Sequence, residues 1–186
     1  MENINNLKKR VTLYKEILDN TKNYRKAWNT QLRNHIIDTL KKYAKEVGLD
    51  FQIEITKNFK NLEAVTFSLK KEESGIYEIV NRKTKLPIIK FNGMLAYQQL
   101  FNGKINVLII YPILEGLMQP KPPKQIAIYR PEEISEAFLV MHLEEFIKEM
   151  TEWEDFDDDE HIATIGFNHP QTASFQQNTP KNESDQ

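Results

Sequence analysis

The stretch "FNGMLAYQQLFNGKINVLIIYPI", residues 91–113, contains the dipeptide Asn-Gly twice, at 92–93 and at 102–103. Asn-Gly favours a tight β-turn, because asparagine and glycine adopt positive φ angles at little cost. We therefore predict that the chain reverses direction at both places. After the second turn, Ile105, Val107 and Ile109 recur at alternate positions, which is the period of a strand with one buried face. The stretch predicts the centre of an antiparallel sheet.

The segment "MLAYQQLF", residues 94–101, lies between the two predicted turns and has two interpretations. A short strand fits the space between two hairpins. Met, Leu, Ala and Gln, however, favour helices, so a helix of two turns is the alternative. We favour the strand.

Segments with the composition of strands continue on both sides of this centre. "FQIEITK" alternates apolar and polar residues from position 51, and three further segments, 62–69, 75–81 and 86–91, are rich in strand formers and separated by turn residues. "QIAIY", residues 125–129, is the last such segment. Together they predict an antiparallel meander of about six strands.

A long helix is predicted after the sheet. Pro131 is expected at its first position, where the missing N–H of proline does no harm. Apolar residues then recur at spacings of three and four as far as Trp153. From Glu154 onward the chain is first acidic and then polar, a composition typical of disorder.

The N-terminal region carries a stripe of apolar residues at alternating spacings of three and four, which is the spacing of a coiled coil: Ile4, Leu7, Val11, Tyr14 and Leu18. A second stripe extends from Tyr24 to Val47. The polar segment "DNTKN", residues 19–23, separates the stripes, and Thr21 or Asn23 suits a helix N-cap. We predict a helical hairpin, with one continuous helix as the alternative.

These elements predict an α+β fold: two N-terminal helices or one long helix, an antiparallel meander of about six strands, a long C-terminal helix and a disordered acidic and polar tail. Residues 1–48 form a helical region that packs on the domain or extends from it. Residues 49–153 form the α+β domain, and residues 154–186 form the tail.

The net charge of -2 conceals an uneven distribution of charged residues. Residues 1–48 contain more lysine and arginine than acidic residues, whereas residues 132–160 contain Lys148 as their one basic residue. The chain has no cysteine, which fits a reducing compartment. We find no signal peptide and no apolar run long enough to span a membrane, and we expect a cytoplasmic protein without membrane insertion.

The sequence contains no motif that identifies catalysis, a metal site or a cofactor. Glycine-rich phosphate loops and nucleophile elbows are absent, and no two histidines lie at the spacing of a helical metal pair. His35 with Asp38, and His142 with Glu145, could each join a base to an orienting carboxylate, but we favour a surface pair or satisfied packing, which gives the same spacing on a helix. We therefore assign no catalytic, metal or cofactor residues. We favour a chain that is not an enzyme, with a small enzyme of dispersed catalytic residues as the alternative.

Protein contact is the function that we expect, through a partner or through self-association. We assign binding to the N-terminal stripe, to an apolar loop after the strongest strand and to a short apolar patch in the tail: Leu7, Val11, Tyr14, Leu18, Leu114, Leu117, Met118, Ile162, Ile165 and Phe167. We do not expect nucleic-acid binding, because the aromatic residues of the basic region lie on the apolar stripe and the acidic block repels polyanions.

The first functional hypothesis is a non-enzymatic adaptor or scaffold that acts through helical and sheet-edge contacts. The alternative is a small-ligand-binding or chaperone-like domain with an apolar pocket or groove, lined by residues such as Tyr77, Tyr97 and Tyr111. The order of elements is similar to that of helix-grip domains, which enclose apolar ligands. If residues 94–101 are helical, it also resembles small acidic secretion chaperones, which bind unfolded segments of their partners.

Overall fold

The computed structural model describes residues 2–59, 62–81 and 84–155. The chain begins with α1 (Glu2–Ala27), a π-helical turn (Trp28–Leu32) and α2 (Arg33–Glu46), and it ends with α3 (Glu136–Glu154). The strands between them are β1 (Phe51–Phe59), β2 (Leu62–Leu69), β3 (Glu72–Asn81), β4 (Thr84–Phe91), β5 (Met94–Gln99), β6 (Ile105–Ile110), β7 (Ile113–Leu114) and β8 (Lys124–Tyr129). The α+β architecture with an antiparallel sheet and a long C-terminal helix is confirmed.

The strands form two sheets rather than one meander of six strands. The larger sheet has the order β1-β2-β5-β6-β8 and the smaller sheet the order β3-β4-β7, and every pair is antiparallel. The hairpin β3–β4 therefore leaves the larger sheet after β2, and β5 returns beside β2. Residues 94–99 form a strand, as we predicted, because Leu95 and Tyr97 complete the buried face of the larger sheet.

The two Asn-Gly dipeptides have different roles. At the second one, Gly103 has a φ of 78°, and its N–H bonds to the Leu100 carbonyl in the turn that joins β5 to β6. The first is not a hairpin turn, because β4 and β5 belong to different sheets. There the Asn92 side chain donates to the Lys70 carbonyl oxygen at 2.7 Å, so it joins the two places where the chain passes between the sheets.

The N-terminal segment is one continuous helix, which corrects our preference for a hairpin. Residues 2–46 are helical without a break, and Thr21, which we proposed as a cap, instead bonds from Oγ1 to the Ile17 carbonyl oxygen at 3.1 Å. A threonine hydroxyl satisfied in this way does not compete for the free N–H groups of a new helix. The polar residues 19–23 therefore lie within the helix and do not end it.

The helix packs on the larger sheet through its second half. From the π-helical turn onward, every fourth residue is buried: Trp28, Leu32, Ile36, Leu40 and Ala44. They meet apolar side chains of β2, β5, β6 and α3, including Phe67, Tyr97, Val107 and Phe146. We call residues 28–46 the seated half of the helix, because they share one core with the sheet.

The C-terminal helix begins later than we predicted. Pro131 opens a short 3-10 turn (Pro131–Glu133), and Ser135 is the N-cap of α3, where its Oγ accepts from the Phe138 N–H at 3.5 Å. The chain is extended at Ile134, with a ψ of 100°, so the turn cannot continue as an α-helix. One face of α3 then packs against the sheet through Leu139, Leu143, Phe146 and Met150.

Candidate functional site

The first half of α1 exposes its apolar stripe. Every residue from 3 to 19 is exposed, and the described domain first meets α1 near Thr21 and Tyr24. We call residues 3–19 the arm; at 1.5 Å per residue it is about 25 Å long. The larger apolar side chains on the arm are between 43% and 62% exposed: Ile4, Leu7, Val11, Leu13, Tyr14, Ile17 and Leu18. The structure thus brings four of the predicted binding residues, Leu7, Val11, Tyr14 and Leu18, onto one uncovered surface.

Basic residues line one side of this stripe. Lys8, Lys15 and Lys22 recur every seven residues, so they lie in one row beside Val11 and Leu18 on the helix surface. Lys22 is paired with Asp19 at 3.1 Å, but both side chains are largely exposed. Such a pair screens little of the row, because exposed ion pairs are weak in water. The arm therefore presents an apolar stripe with a basic border.

The helix is fixed to the domain at the point where the arm begins. The guanidinium of Arg25 donates to the Phe101 carbonyl oxygen at 2.6 Å, and the fully buried Trp28 donates from Nε1 to Glu63 at 3.2 Å. Lys57 and Arg33 also bond to Glu63, each at 2.9 Å. Lys57, then Arg33 and Trp28, stabilise the charged carboxylate and lower the pKa of Glu63 to about 2. The base of the arm is therefore held by both polar and apolar contacts.

A second surface lies on the smaller sheet. A groove of about 850 Å³ is lined mainly by apolar side chains of β3, β4, β7 and the loop after β7: Ile76, Tyr77, Ile79, Ile88, Leu114, Leu117 and Met118. The structure thus places the predicted binding residues Leu114, Leu117 and Met118 together. It adds Ile76 and Ile79 of β3, which we had not assigned, and Tyr77, which we had named for an apolar pocket. The sequence signal for them was "GIYEIVN", in which both faces of the strand carry apolar residues.

The outer edge of β3 carries no strand from residues 2–59, 62–81 or 84–155. Within the described part of the chain, β3 has β4 as its one strand neighbour. Its apolar residues are exposed, with Tyr77 at 51% and Ile79 at 72%. Exposed edge strands offer unpaired backbone groups to any extended segment that approaches. The groove and the open edge are thus adjacent parts of one surface.

The remaining predicted binding residues, Ile162, Ile165 and Phe167, lie outside the described residues, as does almost all of the predicted tail. The tyrosines of the predicted pocket do not line a common cavity. Tyr97 and Tyr111 belong to the core, whereas Tyr77 is exposed on the smaller sheet.

One buried histidine lies between two tyrosines in the core. His142 is fully buried, and its two ring nitrogens lie 3.2 Å from the hydroxyls of Tyr97 and Tyr129. A neutral imidazole donates from one nitrogen and accepts at the other, so it satisfies both contacts. Burial lowers the pKa of His142 to about 4, which keeps it neutral near pH 7. Its position inside the core indicates a structural role.

Glu145, whose spacing pairs it with His142 on the helix, contacts Lys124 instead. Glu145 accepts from Lys124 at 2.6 Å, and Lys124 also bonds to Glu149. Glu149 in turn accepts from the Tyr111 hydroxyl at 2.6 Å, and burial raises the pKa of Tyr111 to about 12. This network fastens α3 to β8 and to the end of β6.

Among the described residues, no group of three His, Cys, Asp or Glu side chains is arranged to hold a metal ion. None of the described helices is long and apolar enough to cross a membrane. Comparisons of the chain with protein-family models, with curated proteins and with solved structures each found no match. The two exposed surfaces are therefore the observations on which a function can be argued.

Proposed function

We propose that this chain is a non-enzymatic, cytoplasmic protein-binding component of the adaptor or scaffold kind, which holds partners through the arm and through the open sheet edge. The observation that carries the proposal is the exposure of all the larger apolar side chains on the arm. A helix of this length is marginally stable by itself in water, and covering its apolar side releases the free energy of hydrophobic burial. A partner chain would supply that cover.

The charges favour an acidic, amphipathic helix as the partner of the arm. In a parallel coiled coil of two copies, Arg10 of one copy would lie near Lys15 of the other, and an antiparallel pair would bring the lysine rows together. Both arrangements place like charges side by side. A helix of another chain with acidic residues at its borders covers the stripe and neutralises the lysine row.

The experiment uses the full chain with a photoreactive phenylalanine analogue at position 14, in the middle of the stripe. The matched control carries the same analogue at position 5, which is exposed and faces away from the stripe. We expect a cross-linked protein at position 14 that is absent or much weaker at position 5. Equal cross-linking at the two positions would contradict the proposal.

Binding of the cross-linked partner is then measured with purified proteins. The variant Val11→Glu/Leu18→Glu should weaken binding about a hundredfold or more, because it places two charges in the contact. Asn5→Glu/Asn23→Glu adds the same charge at exposed positions on the opposite side of the helix and should bind like the original chain. If both variants bind equally well, the stripe is not the contact surface. A dimer in sedimentation that Val11→Glu/Leu18→Glu dissociates would identify a second copy as the partner.

The small-ligand alternative rests on the volume of the groove, which is within the range of small-molecule sites. An environment-sensitive dye such as anilinonaphthalene sulfonate tests it. If the groove holds small apolar ligands, Leu117→Lys should abolish a saturable part of the fluorescence that Leu18→Lys leaves unchanged. Equal effects of the two variants would remove this alternative.

A further inference from the structure

The smaller sheet carries a dense patch of apolar side chains that the described residues leave uncovered. Exposed members of this patch lie on β3, on β4 and in the loop after β7: Ile76, Tyr77, Ile79, Val80, Leu86 and Leu117. The groove lies among them, and Ile88 of the central strand β4 is part of its lining. Contiguous exposed apolar surface of this kind marks a contact site.

The C-terminal end of α3 lies beside this groove. Lys90 of β4 forms an ion pair with Glu154, the last residue of α3, and its Nζ lies 5.5 Å from the centre of the Trp153 ring. In the ladder between β4 and β7, Lys90 is opposite Leu114, which lines the groove. Because side chains alternate along a strand, Lys90 also shares a face of β4 with Ile88. The chain therefore leaves the described part of the structure next to the groove.

The chain beyond residue 155 is long enough to reach every part of the groove. Ile79, at the far end of the lining, lies opposite Lys85, which is five residues from Lys90 along β4. At about 3.4 Å per residue these five residues span about 17 Å. Seven residues lead from position 155 to position 162, and an extended chain of that length spans up to about 23 Å. The apolar segment that begins at Ile162 is therefore within reach.

This segment, residues 162–167, matches the groove in polarity. It reads "IATIGF", and Ala163, Ile165 and Phe167 recur at alternate positions, which is the period of an extended chain with one apolar face. Residues 161–180 contain no lysine, arginine, aspartate or glutamate. The segment therefore brings no like charge toward Glu78 and Glu115, the two carboxylates on the groove lining.

The acidic residues between α3 and this segment complement the charge of the smaller sheet. Residues 155–160 read "DFDDDE", whereas residues 70–91 contain six lysine or arginine residues and three glutamates. Lys71 and Lys85 lie over the rings of Phe91 and Tyr77, and neither has an ion-pair partner among residues 2–59, 62–81 and 84–155. Opposite charges attract over about 8 to 10 Å at physiological salt. The acidic linker is therefore drawn toward the sheet and not repelled.

We propose that the segment 162–167 of the chain's own tail docks in the groove on the smaller sheet. Burial of Ile165 and Phe167 against the apolar lining stabilises the contact. Because groove and segment belong to one chain, the effective concentration is on the order of millimolar, so a weak contact is sufficient. A partner that binds beside β3 then competes with the segment. The inference goes beyond the proposed function, since it assigns an occupant from the same chain and does not involve the arm.

The experiment measures disulfide formation in the full chain, which has no cysteine of its own. Glu115→Cys/Thr164→Cys places one thiol on the groove lining and one in the segment. The matched control, Glu115→Cys/Ser174→Cys, has its second thiol ten residues further along the tail. Loop length alone favours the nearer cysteine about threefold. With glutathione disulfide as the oxidant, we expect the bond within one chain to form more than about tenfold faster in the first variant.

Two further substitutions test whether the apolar side chains of the segment cause the faster reaction. Added to Glu115→Cys/Thr164→Cys, Ile165→Ser/Phe167→Ser should slow disulfide formation at least about threefold, because it removes the side chains that enter the groove. Phe156→Ser/Phe175→Ser, which removes two apolar side chains of the tail outside the segment, should leave the rate unchanged.

A dye measurement on the chain without cysteines provides an independent reading of the groove. Ile165→Ser/Phe167→Ser should increase the fluorescence of bound anilinonaphthalene sulfonate relative to the original chain, because it uncovers the apolar lining. Adding Leu117→Lys, a change within that lining, should remove the increase. Phe156→Ser/Phe175→Ser should give the fluorescence of the original chain.

Three results would overturn the inference: a rate ratio of about three between the two cysteine pairs, equal rates for the two serine variants, or a disulfide that forms only between chains. The last result would assign the groove to the tail of a second copy, and the dependence of the rate on protein concentration reveals it. Val11→Glu/Leu18→Glu should leave the rate unchanged. A chain that forms the disulfide but no cross-link through the arm would retain this inference and contradict the arm-based function. The opposite pair of results would retain the arm and contradict the inference.

Discussion

The arm and the seated half of the long helix both carry an apolar side chain at every third or fourth position, but they have opposite surroundings. Trp28, Ile36 and Ala44 are completely buried, whereas Leu7 and Tyr14 are 55% and 62% exposed. The difference begins where the turn between β5 and β6 touches the helix near Thr21 and Tyr24. An apolar stripe therefore reveals a helix, but the length of the sheet decides how much of the stripe is covered.

The largest expected difference in stability between the two parts of the helix comes from removing one aromatic side chain from each. Trp28→Ala should cost about 3 to 5 kcal/mol of unfolding free energy, because it leaves a cavity in the core. Tyr14→Ala should stay within about 0.5 kcal/mol in the partner-free chain. Urea denaturation of both variants provides the measurement. Similar losses would show that the arm is covered within its own chain.

Acid provides a second test, which acts on the core and not on the arm. Burial holds the pKa of His142 at about 4, below the 6.5 of an unfolded histidine, so the unfolded chain takes up the proton first. The stability that neutral His142 contributes is complete above about pH 6.5 and is lost as the pH falls toward 4, by about 3 kcal/mol.

Denaturation curves between pH 7.5 and pH 4 measure this loss, and His142→Gln should reduce the slope between pH 6.5 and pH 5. The arm contains no histidine, so its helix should not respond over that narrower interval. An unchanged slope in the variant would mean that His142 is protonated at the same pH in the folded and unfolded chains.

Two glycines with similar φ angles test the junction between arm and domain. A Cβ on Gly103, with a φ of 78°, would lie 2.8 Å from the Tyr24 Cβ and 3.0 Å from the Thr21 carbonyl oxygen. Gly103→Ala should therefore cost about 2 to 3 kcal/mol, from backbone strain and from the clash with the helix.

Gly116 is the matched control, because its φ is 75° and nothing lies within 4 Å of the added Cβ. Gly116→Ala should cost about 1 kcal/mol, from backbone strain alone. Thermal denaturation of the two variants compares them directly. If their stabilities are equal, the turn does not press against the helix and the junction is looser than the structure indicates.

The smallest expected changes in stability come from two ion pairs, one between the seated half and β2 and one on the exposed part of the helix. Glu63 is 11% exposed and bonds to Trp28 and Arg33, so Glu63→Gln should cost about 1 to 2 kcal/mol at pH 7. Asp19→Asn, which removes the charge from the exposed pair with Lys22, should lower the free energy of unfolding by less than about 0.5 kcal/mol. Because the pKa of Glu63 is lowered, the stability that its ionised carboxylate contributes is present above about pH 4.5 and is lost as the pH falls toward 2.

The sequence predicted most elements of the fold, because the spacing of apolar residues along a helix or a strand is a property of the local sequence. Residues 94–99 formed a strand, and α3 packed through the apolar face that its spacing defines. The predicted hairpin at residues 19–23 was wrong, because polar residues end a helix only where their side chains turn back to cap it. Likewise, Asn92 and Gly93 have turn chemistry, but the partner of Asn92 is Lys70, and such a distant contact is not encoded in the dipeptide.

The candidate surfaces were predictable to different degrees. The apolar stripe of the arm can be read from the spacing of Leu7, Val11, Tyr14 and Leu18, although its exposure cannot. The outer edge of β3 needs more information, because the outward direction of the Tyr77 N–H follows from its position opposite Pro87, which has no N–H to exchange. Strand register depends on contacts between distant residues, so this part of the site became visible only in the structure.

The π-helical turn with which the seated half begins contains one residue more than a turn of α-helix, and its closing bond runs from the Arg33 N–H to the Trp28 carbonyl oxygen. Each residue of an α-helix turns the chain by about 100° around the axis. Deleting Thr30, which is exposed within this turn, would therefore rotate the arm and Trp28 together by about 100° around the helix axis relative to Leu32. The length and the sequence of the arm would stay the same, but Trp28 would no longer share the buried face of the helix with Leu32. The extra residue of the π-helical turn therefore sets the direction, around the helix axis, in which the arm presents its stripe to a partner relative to the two sheets.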